Sequence, residues 1–586
     1  MPSLPTCRCA DLAAQIAAQR VAIARFEAAL WQNGFNAALL EAYQSAWRRL
    51  EALIAAAGED NRHRFVIVIP VADSPLHLQD CLASLLDLCR AYAYGGQAEG
   101  RWAKVSVLLA DDSSVPVNIA KNRAIATSFE RQGLAIQYFG LDEQIALLDR
   151  LGALDLGAIV GCHPRTAFAH KGQAMLRNIA YLKLAEMFRG STEPRLYYTL
   201  DADQEFKVKV ATESGGQEVL AVNFLYRLDE IFSASDAQVL TGKVVGDPPV
   251  SPAVMAGNFL EDVIGFLREM AAADPMGDYR QPAVSASGDA AYHDMADLFG
   301  FKPAADAQRY RCPLDGVPGN AACFAAFSQR LHSFFHGEHP TRITWFEYQD
   351  APAAAPLGTH PARTVYTGNY VFRPEALRWF IPYAPLRLRM SGPTMGRLLQ
   401  AEMGQHFVSA NLPMLHKRAL AGSGQSEFRP GVVAERSRID LCGEFERQFH
   451  GDVMLFSMQR LIALGYPERL PEVAEVAEIL DEVRAEMREK YRLKQAAILD
   501  RLALLETLLA DPARWWNQDA ASLAARTHFQ DFAANLERNF GVDSPCYARI
   551  DAPGNWASWR ARQLAAIQSL PADRQDWAAA LQTLGA

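Results

Sequence analysis

The alternation of short apolar runs with helical segments between residues 64 and 200 constrains the fold of this chain more than any other feature. Residues 65–69, 105–109, 134–139 and 196–200 have the pattern of buried strands, and helical patterns separate them. Continuous apolar strands that alternate with helices are typical of a parallel sheet covered on both faces. The sequence therefore predicts an α/β fold that begins with a βαβαβ series.

Acidic pairs follow two of these strands. Asp111 and Asp112 come after the second strand, and Asp201 and Asp203 come directly after the fourth. Ligands of parallel sheets bind at the carboxyl ends of the strands. Asp201 and Asp203 there suit Mg²⁺ or Mn²⁺, which neutralises a diphosphate as a sugar leaves it, although an Asp-x-Asp pair also occurs in solvated turns. Asp111 and Asp112 either accept a hydrogen bond from a uracil or guanine N–H or cap a helix.

Polar and cationic residues lie beside the predicted strands. Ala72 and Asp73 belong to a short loop after the first strand, where a nucleotide can lie above them. Lys171 and Arg177 come shortly before the acidic strand at 196–200. They either pair the phosphates of a donor or begin a solvated helix.

Five ordered segments carry a resemblance to a known family. They are Val68-Ile69-Pro70-Val71-Ala72; Leu109-Ala110-Asp111-Asp112-Ser113-Ser114; Lys171-Gly172 with Arg177-Asn178; Leu200-Asp201-Ala202-Asp203; and Thr367-Gly368-Asn369-Tyr370-Val371-Phe372-Arg373. Residues 64–420 thereby resemble family 2 and related glycosyltransferases, which have the Rossmann-like nucleotide-diphospho-sugar transferase fold called GT-A. The resemblance implies a metal-dependent transferase of hexosyltransferase type that moves a sugar from a nucleotide-diphosphate donor to an acceptor.

The resemblance also implies a role for each matching position. Ala72, Asp73 and Asp112 would contact the base and ribose, and Arg177 would contact the base or a phosphate. Asp201 would contact the ribose or the metal, and Asp203 the metal. Gly368, Asn369 and Arg373 would lie on the acceptor side.

His416 is a further candidate metal ligand. It follows a predicted strand at 407–412, and several GT-A enzymes place a histidine from this late segment on the metal. A neutral imidazole is an acceptable Mn²⁺ ligand beside carboxylates, whereas the alternative is a histidine satisfied within a loop. Lys417 and Arg418 follow it and are expected to hold the leaving diphosphate.

The chain departs from the family where an inverting enzyme needs its base. Inverting relatives carry an acidic residue at the start of the helix after the acceptor-side strand, but residues 390–399 contain no carboxylate. Either the reaction retains the anomeric configuration, or Glu338 or Asp247 supplies the base, or catalysis has been lost. The sequence favours retention, and no catalytic base is assigned.

The predicted domains are a helical hairpin at 1–60, a catalytic domain at 61–430 and a helical domain at 431–586. Residues 270–365 are rich in Ala, Pro, Gly and His, which predicts an irregular insertion on the acceptor side. Both helical ends carry apolar stripes without a cationic face. We expect them to pack on the catalytic domain or on a second copy of the chain.

Composition narrows the function classes. A net charge of -9 argues against nucleic acid as the main partner. Nine scattered cysteines, with no signal-peptide or membrane-spanning pattern, predict a cytoplasmic protein. A zinc site built from Cys312, Cys323, His332, His336 and His339 matches no compact spacing, so these are expected to be loop and core residues.

Two rival functions remain open at this stage. A sugar nucleotidyltransferase shares the strand and metal layout, but the loop 71–75 lacks the glycines that such enzymes usually carry there. A non-catalytic scaffold with the GT-A fold would explain the missing base. Neither the sugar, nor the nucleotide, nor the acceptor is encoded in a recognisable motif.

Overall fold

The computed structural model describes residues 5–58, 60–212, 215–282, 309–346, 358–420, 423–435 and 438–585. Parts of the predicted insertion, at 283–308 and 347–357, therefore lie outside the described residues.

The described residues form an α/β structure in which helices precede, interrupt and follow one large sheet. The strands are β1 (Arg64–Val71), β2 (Gln97–Ala98), β3 (Arg101–Trp102), β4 (Val105–Asp111), β5 (Ala135–Phe139), β6 (Arg195–Leu200), β7 (Gln204–Glu205), β8 (Val208–Thr212), β9 (Gly215–Val219), β10 (Val239–Gly246), β11 (His360–Pro361), β12 (Asn369–Phe372), β13 (Phe407–His416), β14 (Val433–Glu435) and β15 (Arg438–Asp440). The α-helices are α1 (Pro5–Asn33), α2 (Ala37–Ala57), α3 (Pro75–Tyr92), α4 (Pro116–Glu130), α5 (Leu141–Asp149), α6 (Gly157–Val160), α7 (Gln173–Met187), α8 (Phe224–Ala234), α9 (Pro252–Ala272), α10 (Asn320–Arg330), α11 (Ser391–Met403), α12 (Cys442–Ala463), α13 (Val473–Ala510), α14 (Trp515–Gln518), α15 (Leu523–Phe540), α16 (Pro545–Asp551) and α17 (Pro553–Leu584). Short 3-10 helices span Arg165–Ala167, Leu331–His336, Pro374–Arg378, Ala384–Leu386, Gly404–His406 and Ala520–Ser522.

The large sheet has the strand order β11-β13-β10-β12-β6-β1-β4-β5, with β7 added to β13. Strands β6, β1, β4 and β5 are parallel, which confirms the predicted series of strands. Strand β12 runs antiparallel between β6 and β10, and β13 is parallel to β10. As a consequence the carboxyl ends of β4, β1, β6, β10 and β13 all lie at one edge of the sheet.

Both faces of the sheet are buried, because side chains alternate between two apolar cores. Val66 and Val68 belong to one core, and Phe65, Ile67 and Ile69 belong to the other. This alternation is what a strand buried on both sides requires, since successive side chains point to opposite faces.

The amino-terminal helices cover one face of the sheet. Asn36 accepts a hydrogen bond from the backbone N–H of Leu39 at 2.9 Å, so it caps α2 after the predicted break. Trp47 of α2 packs against Tyr226 with 4.5 Å between ring centroids, and its ring also meets Tyr92 of α3. The predicted hairpin therefore contacts the sheet-forming part of the same chain.

The carboxyl-terminal helices cover the opposite face. The indole of Trp515 donates to the carbonyl of Met270 at 2.8 Å, and the indole of Trp577 donates to the carbonyl of Leu377 at 2.7 Å. Arg501 of α13 forms an ion pair with Glu261 of α9 at 2.6 Å. Apolar residues of α12, α13, α15 and α17 share one core with Val66 and Val68. Within the parts of the chain that the structure describes, no helix is both long and apolar enough to cross a bilayer.

Two regions differ from the sequence prediction. Strand β10 lies in the middle of the sheet, yet Gly242 and Lys243 interrupt its apolar pattern and no strand was predicted there. The pairing of β10 with β13 shifts in register between Thr241 and Lys243, and the strand continues beyond them. Part of the insertion expected to be irregular forms α10 and a buried 3-10 helix, because Cys323, Phe324 and Phe327 pack into the core.

Removal of the Trp577 side chain tests the packing of the carboxyl-terminal helices. Its indole is fully buried and lies 5.4 Å from the ring of Phe380. Trp577→Ala should cost about 3–5 kcal/mol in the free energy of unfolding, because it leaves a cavity and an unpaired carbonyl. Thermal melting of both proteins checks this. The control Leu493→Ala removes a side chain of α13 that is 64% exposed and should melt with the parent. Equal melting of Trp577→Ala and the parent would contradict the packing.

Candidate active site

Functional side chains converge at the carboxyl edge of the sheet. The loop after β1 supplies Asp73, the end of β4 supplies Asp111 and Asp112, and the end of β6 supplies Asp201. The turns after β10 and β13 bring Asp247 and residues 416–418 to the same edge. Sequence positions more than 300 residues apart thus meet because their strands are parallel.

Asp203 and His416 face each other at this edge. Asp203 Oδ2 lies 3.4 Å from His416 Nε2, which is beyond usual hydrogen-bond length. His416 Nδ1 lies 2.7 Å from the carbonyl of Asp247, and because a carbonyl only accepts, Nδ1 carries a proton. In its neutral form such a ring presents a lone pair at Nε2. Among the described residues, neither Asp203 Oδ1 nor His416 Nε2 has a hydrogen-bond partner, although both atoms are buried.

These two orphaned atoms fit a divalent metal. A carboxylate oxygen and an imidazole lone pair are ligands that Mn²⁺ accepts, and a backbone carbonyl orients the histidine as an outer partner does in metal sites. Burial alone would raise the pKa of Asp203, but His416 when protonated and Arg418 outweigh burial and hold that pKa below its usual range. The described residues contain no set of three or more acidic, histidine or cysteine side chains gathered as metal ligands.

Asp201 points away from this pair in the structure. Its Oδ1 forms an ion pair with the buried guanidinium of Arg177 and accepts from Gln173 Nε2 at 3.3 Å. Gly368 lies against the other oxygen, since a Cβ at that glycine would meet Asp201 Oδ2 at 2.7 Å. A metal contact by Asp201 remains a prediction that requires the Arg177 pair to exchange.

Asp112 and Lys171 are also paired with each other. Both are almost fully buried, and Lys171 Nζ contacts Asp112 Oδ1 and donates to the carbonyl of Phe168 at 2.9 Å. Burial raises the pKa of Asp112 and lowers the pKa of Lys171, although each charge partly offsets the effect on the other. Contacts of Asp112 with a nucleotide and of Lys171 with phosphates remain predictions, and both require this pair to open.

Asp73 is satisfied within the protein. Its carboxylate accepts from the backbone of Ser114 and Val115 and from Asn118, and it pairs with His170 at 2.6 Å. These bonds tie the loop after β1, where Ala72 lies, to the start of α4. Burial raises and these hydrogen bonds lower the pKa of Asp73, with a net decrease.

Asp111 is likewise occupied, because it accepts from the backbone of Ser113 at 2.9 Å, from Asn122 at 3.0 Å and from the hydroxyl of Tyr138 at 2.6 Å. Contact of Asp73 or Asp111 with a base remains a prediction. Asp111 does not cap α4, because that helix begins at Pro116 with Val115 as its N-cap and without a side-chain cap bond.

The two cations after His416 have different partners. Lys417 Nζ forms ion pairs with Glu205 at 2.8 Å and with Glu218 at 2.7 Å. Arg418 points toward Asp203, with 3.5 Å between its NH1 and Asp203 Oδ2. Arg418 is thus the cation of this segment that lies at the candidate metal site, while Lys417 is held by two carboxylates.

The acceptor-side residues separate in the structure. Gly368 lies at the site, but the side chain of Asn369 bonds to the hydroxyl of Tyr198 and to the carbonyls of Lys243 and Leu412. Arg373 donates to the carbonyl of Ala237 at 2.9 Å and to that of Phe232, beyond the opposite end of β12. Because β12 is antiparallel to β6, four residues of strand carry Arg373 to the far edge of the sheet. In this structure Arg373 is engaged by these backbone carbonyls, and its contact with an acceptor remains a prediction.

Glu338 is the carboxylate that the structure offers where residues 390–399 have none. It is buried, it forms an ion pair with Arg330 at 2.7 Å, and its Oε2 is buried without a hydrogen-bond partner in the described chain. Burial raises its pKa, and the charge of Asp247 adds to that increase. Retention of configuration and a base supplied by Glu338 both remain predictions.

The sequence analysis missed His77 and a segment at 425–429 that crosses the site. Glu427 accepts from the backbone N–H groups of Leu76 and His77 and from the His77 ring at 2.9 Å, so it caps α3. Phe428 lies 4.4 Å from the His170 ring. These contacts of Glu427 and Phe428 join residues about 250 to 350 positions apart. No local pattern in the sequence therefore marks the segment.

The five residues of the disfavoured zinc site are not gathered as a ligand set in the described part of the chain. Cys312 and Cys323 are buried in the core, and His339 bonds to Thr341 and the backbone of Arg342. His332 and His336 contact each other at 3.2 Å between Nε2 atoms.

No protein-family model and no curated protein matches the chain. Among solved structures, it is similar to S. aureus TarS, with 11% identity over 81% of this chain and a TM-score of 0.27. It spans 55% of the length of TarS. It is also similar to the mannosyltransferase PcManGT from Pyrobaculum calidifontis in complex with GDP-Man and Mn²⁺, with 10% identity, 95% and 98% of the two chains and a TM-score of 0.28. Mouse xyloside xylosyltransferase 1 in the apo form has 12% identity over 60% and 78% of the chains, with a TM-score of 0.21.

The neighbours thus include glycosyltransferases. Because these TM-scores are low, the likeness carries no argument about function. The functional proposal rests on the geometry of the site in this chain.

Gly368→Ala tests the close approach to Asp201. The added methyl group would lie 2.7 Å from Asp201 Oδ2 and 2.8 Å from Gln204 Oε1, so it should push the carboxylate away. We expect Mn²⁺-dependent affinity for UDP or GDP to fall at least about tenfold, which corresponds to roughly 1.4 kcal/mol. Calorimetric titration measures it. Gly257→Ala in α9 is the matched control, since a Cβ there meets nothing within 4 Å. Unchanged affinity in Gly368→Ala would remove Asp201 from the site.

Proposed function

We propose that this protein is a metal-dependent glycosyltransferase of the GT-A type that takes a hexose from a nucleotide-diphosphate donor. One observation carries the proposal. Asp203 Oδ2 lies 3.4 Å from His416 Nε2 at the carboxyl edge of an α/β sheet, and within the described residues Asp203 Oδ1 and His416 Nε2 are buried ligand atoms without a hydrogen-bond partner. Buried polar groups are normally satisfied, and those that are not call for an ion or a ligand.

Asp203 and His416 would hold Mn²⁺ or Mg²⁺, and Asp201 would join them if Arg177 released it. The ion, when bound, neutralises the diphosphate as it leaves the sugar. Arg418 lies beside Asp203 and adds positive charge to the same place, where a buried guanidinium acts strongly on a developing oxyanion. The carbonyl of Asp247 keeps the His416 ring in the orientation that presents Nε2.

The nucleotide would lie over the loops that follow β1 and β4. Ala72 and Asp73 form the first loop, and Asp111 with Asp112 begins the second. The buried pair of Lys171 and Asp112 would open when the donor binds. A base N–H group of the donor would then replace Lys171 at Asp112, and Lys171 would turn to the phosphates. The half-buried rings of Phe428 and His170 contact each other and would offer the nucleotide a stacking surface.

The two rival functions differ in what they release. A nucleotidyltransferase forms pyrophosphate from a nucleoside triphosphate, a glycosyltransferase releases a nucleoside diphosphate from a nucleotide sugar, and a scaffold releases neither. Incubation with UDP- and GDP-sugars and with nucleoside triphosphates, each with Mn²⁺, separates the three.

Asp203→Asn is the most direct test of the metal site. It keeps the size of the side chain but removes the charge that binds the ion. Thermal stabilisation by a UDP- or GDP-sugar in the presence of Mn²⁺ should be lost, while the melting temperature without ligand stays near that of the parent. Asp236→Asn changes an exposed aspartate in the same way and should keep the stabilisation. If Asp203→Asn still responds to Mn²⁺ and nucleotide sugar, the metal assignment is wrong.

Arg418→Gln and Lys417→Gln compare two neighbouring cations. Arg418 faces Asp203, whereas Lys417 is engaged by Glu205 and Glu218. We expect Arg418→Gln to slow Mn²⁺-dependent release of nucleoside diphosphate by about a hundredfold, the usual effect of losing one donor to a developing oxyanion. Lys417→Gln should slow it by less than about threefold, since it removes charge that two carboxylates already balance. The reverse order of effects would contradict the assigned roles.

A further inference from the structure

A group of arginines adjoins Asp203 through Arg418. Four of them interact with the buried carboxylate of Glu444, and the fifth, Arg387, adjoins the group through Arg447. We call this group the arginine cluster; its members are Arg387, Arg389, Arg418, Arg429 and Arg447. It is formed by the turn before α11, the end of β13, the segment at 425–429 and the first turns of α12.

The interior of the cluster is balanced by Glu444. Arg389 NH1 and Arg429 NH2 each contact Glu444 Oε1 at 2.7 Å, and Arg418 is shared with Asp203. Burial would raise the pKa of Glu444, but Arg429 and Arg389 outweigh burial and hold it at about 2. One carboxylate is therefore ionised and used by two arginines at once.

The outer edge of the cluster has no such balance. Arg387 is exposed, and its guanidinium forms no ion pair with any carboxylate of the described chain. Arg447 uses its guanidinium to donate to two carbonyls, that of Arg387 at 2.5 Å and that of Pro430 at 3.2 Å. Positive charge therefore exceeds negative charge at this edge, in a protein whose net charge is -9.

The ionisable groups on which Arg387 acts are basic side chains. Its charge acts on Arg447, Lys171 and His163, and in each case it adds to the effect of burial in lowering the pKa of the neighbour. The Arg387 side chain also packs beside Gly172, where a Cβ would lie 3.6 Å from Arg387 Cγ. Repulsion between like charges is unfavourable unless an anion relieves it.

We propose, on the basis of the proposed function, that the arginine cluster binds a phosphate or carboxylate group carried by the acceptor, and that Arg387 and Arg447 make the contact. A planar guanidinium pairs with either oxyanion through two parallel hydrogen bonds. Arg387 is exposed, and the half-buried Arg447 donates to its carbonyl. One anion can therefore reach both side chains. The acceptor of this enzyme is therefore an anionic molecule.

The donor diphosphate is the other oxyanion that this region could bind. Its charge is met by the ion at Asp203 and His416 and by Arg418, and the residues proposed for the donor follow β1, β4 and β6. Arg387 and Arg447 come instead from the turn before α11 and from α12. They lie at the edge of the cluster where positive charge exceeds negative charge. The two sources of oxyanion make different predictions once the donor site is filled.

The test uses the full chain with Mn²⁺ and saturating UDP or GDP, whichever stabilises it, and inorganic phosphate as the probe. Phosphate should raise the melting temperature in a saturable way beyond a sodium chloride control of equal ionic strength. Arg387→Gln should weaken that response by about tenfold or more in apparent affinity, and Arg387→Lys should keep part of it. Arg469→Gln, which neutralises an exposed arginine near Glu475, should respond as the parent does.

Two results would overturn the proposal. One is a phosphate response that UDP or GDP abolishes, since the cluster would then serve the donor. The other is a response that survives in both Arg387→Gln and Arg447→Gln. Failure of the proposed function appears separately, as the absence of any Mn²⁺-dependent response to UDP and GDP. Phosphate titrated without nucleotide then still reports whether Arg387 binds an anion.

Discussion

Burial of charge at the carboxyl edge of the sheet is the constraint on which the rest of the structure depends. The strands have apolar side chains on both faces, so polar residues lie at the ends of the strands. Several acidic residues follow these strands at the carboxyl edge. A buried carboxylate is costly without a partner. The pairs Asp112 with Lys171 and Asp201 with Arg177, and the bonds that surround Asp73, follow from this requirement.

The pairs stabilise the ligand-free site, and they also prepare it for a ligand. A cation that neutralises a buried carboxylate is close enough to turn to a phosphate once a ligand supplies other partners for the carboxylate. Asp203 and His416 differ, because Asp203 Oδ1 and His416 Nε2 are buried without a hydrogen-bond partner in the described chain.

The helical ends serve the same constraint from outside. Helices α1 and α2 cover one face of the sheet, and α12, α13, α15 and α17 share the core of the other. Helix α12 does more than cover the sheet, since its first turns bring Glu444 and Arg447 to the arginine cluster. The carboxyl-terminal region thus contributes charge to the site as well as apolar packing.

Much of the fold could be predicted because the signals were local. The strands at 65–69, 105–109 and 196–200 are runs of apolar residues, and each was confirmed within a few residues. Strand β10 was missed because Gly242 and Lys243 break the run, and its place in the sheet depends on pairing with β12 and β13. A motif match could not reveal that Arg373 lies at the edge of the sheet opposite the candidate site. The direction of β12 decides this, and residue order does not show it.

The sequence by itself determined which residues could bind a metal or a phosphate, and that parallel strands would carry the acidic ones to one edge. Only the tertiary structure decided which of them are available. Asp73, Asp112 and Lys417 are occupied by partners distant in sequence, whereas Asp203 Oδ1 and His416 Nε2 have no hydrogen-bond partner and Arg387 has no acidic partner in the described chain. The physical reason is that residue type and spacing give the chemistry of a side chain, but its partners are chosen by contacts across hundreds of residues.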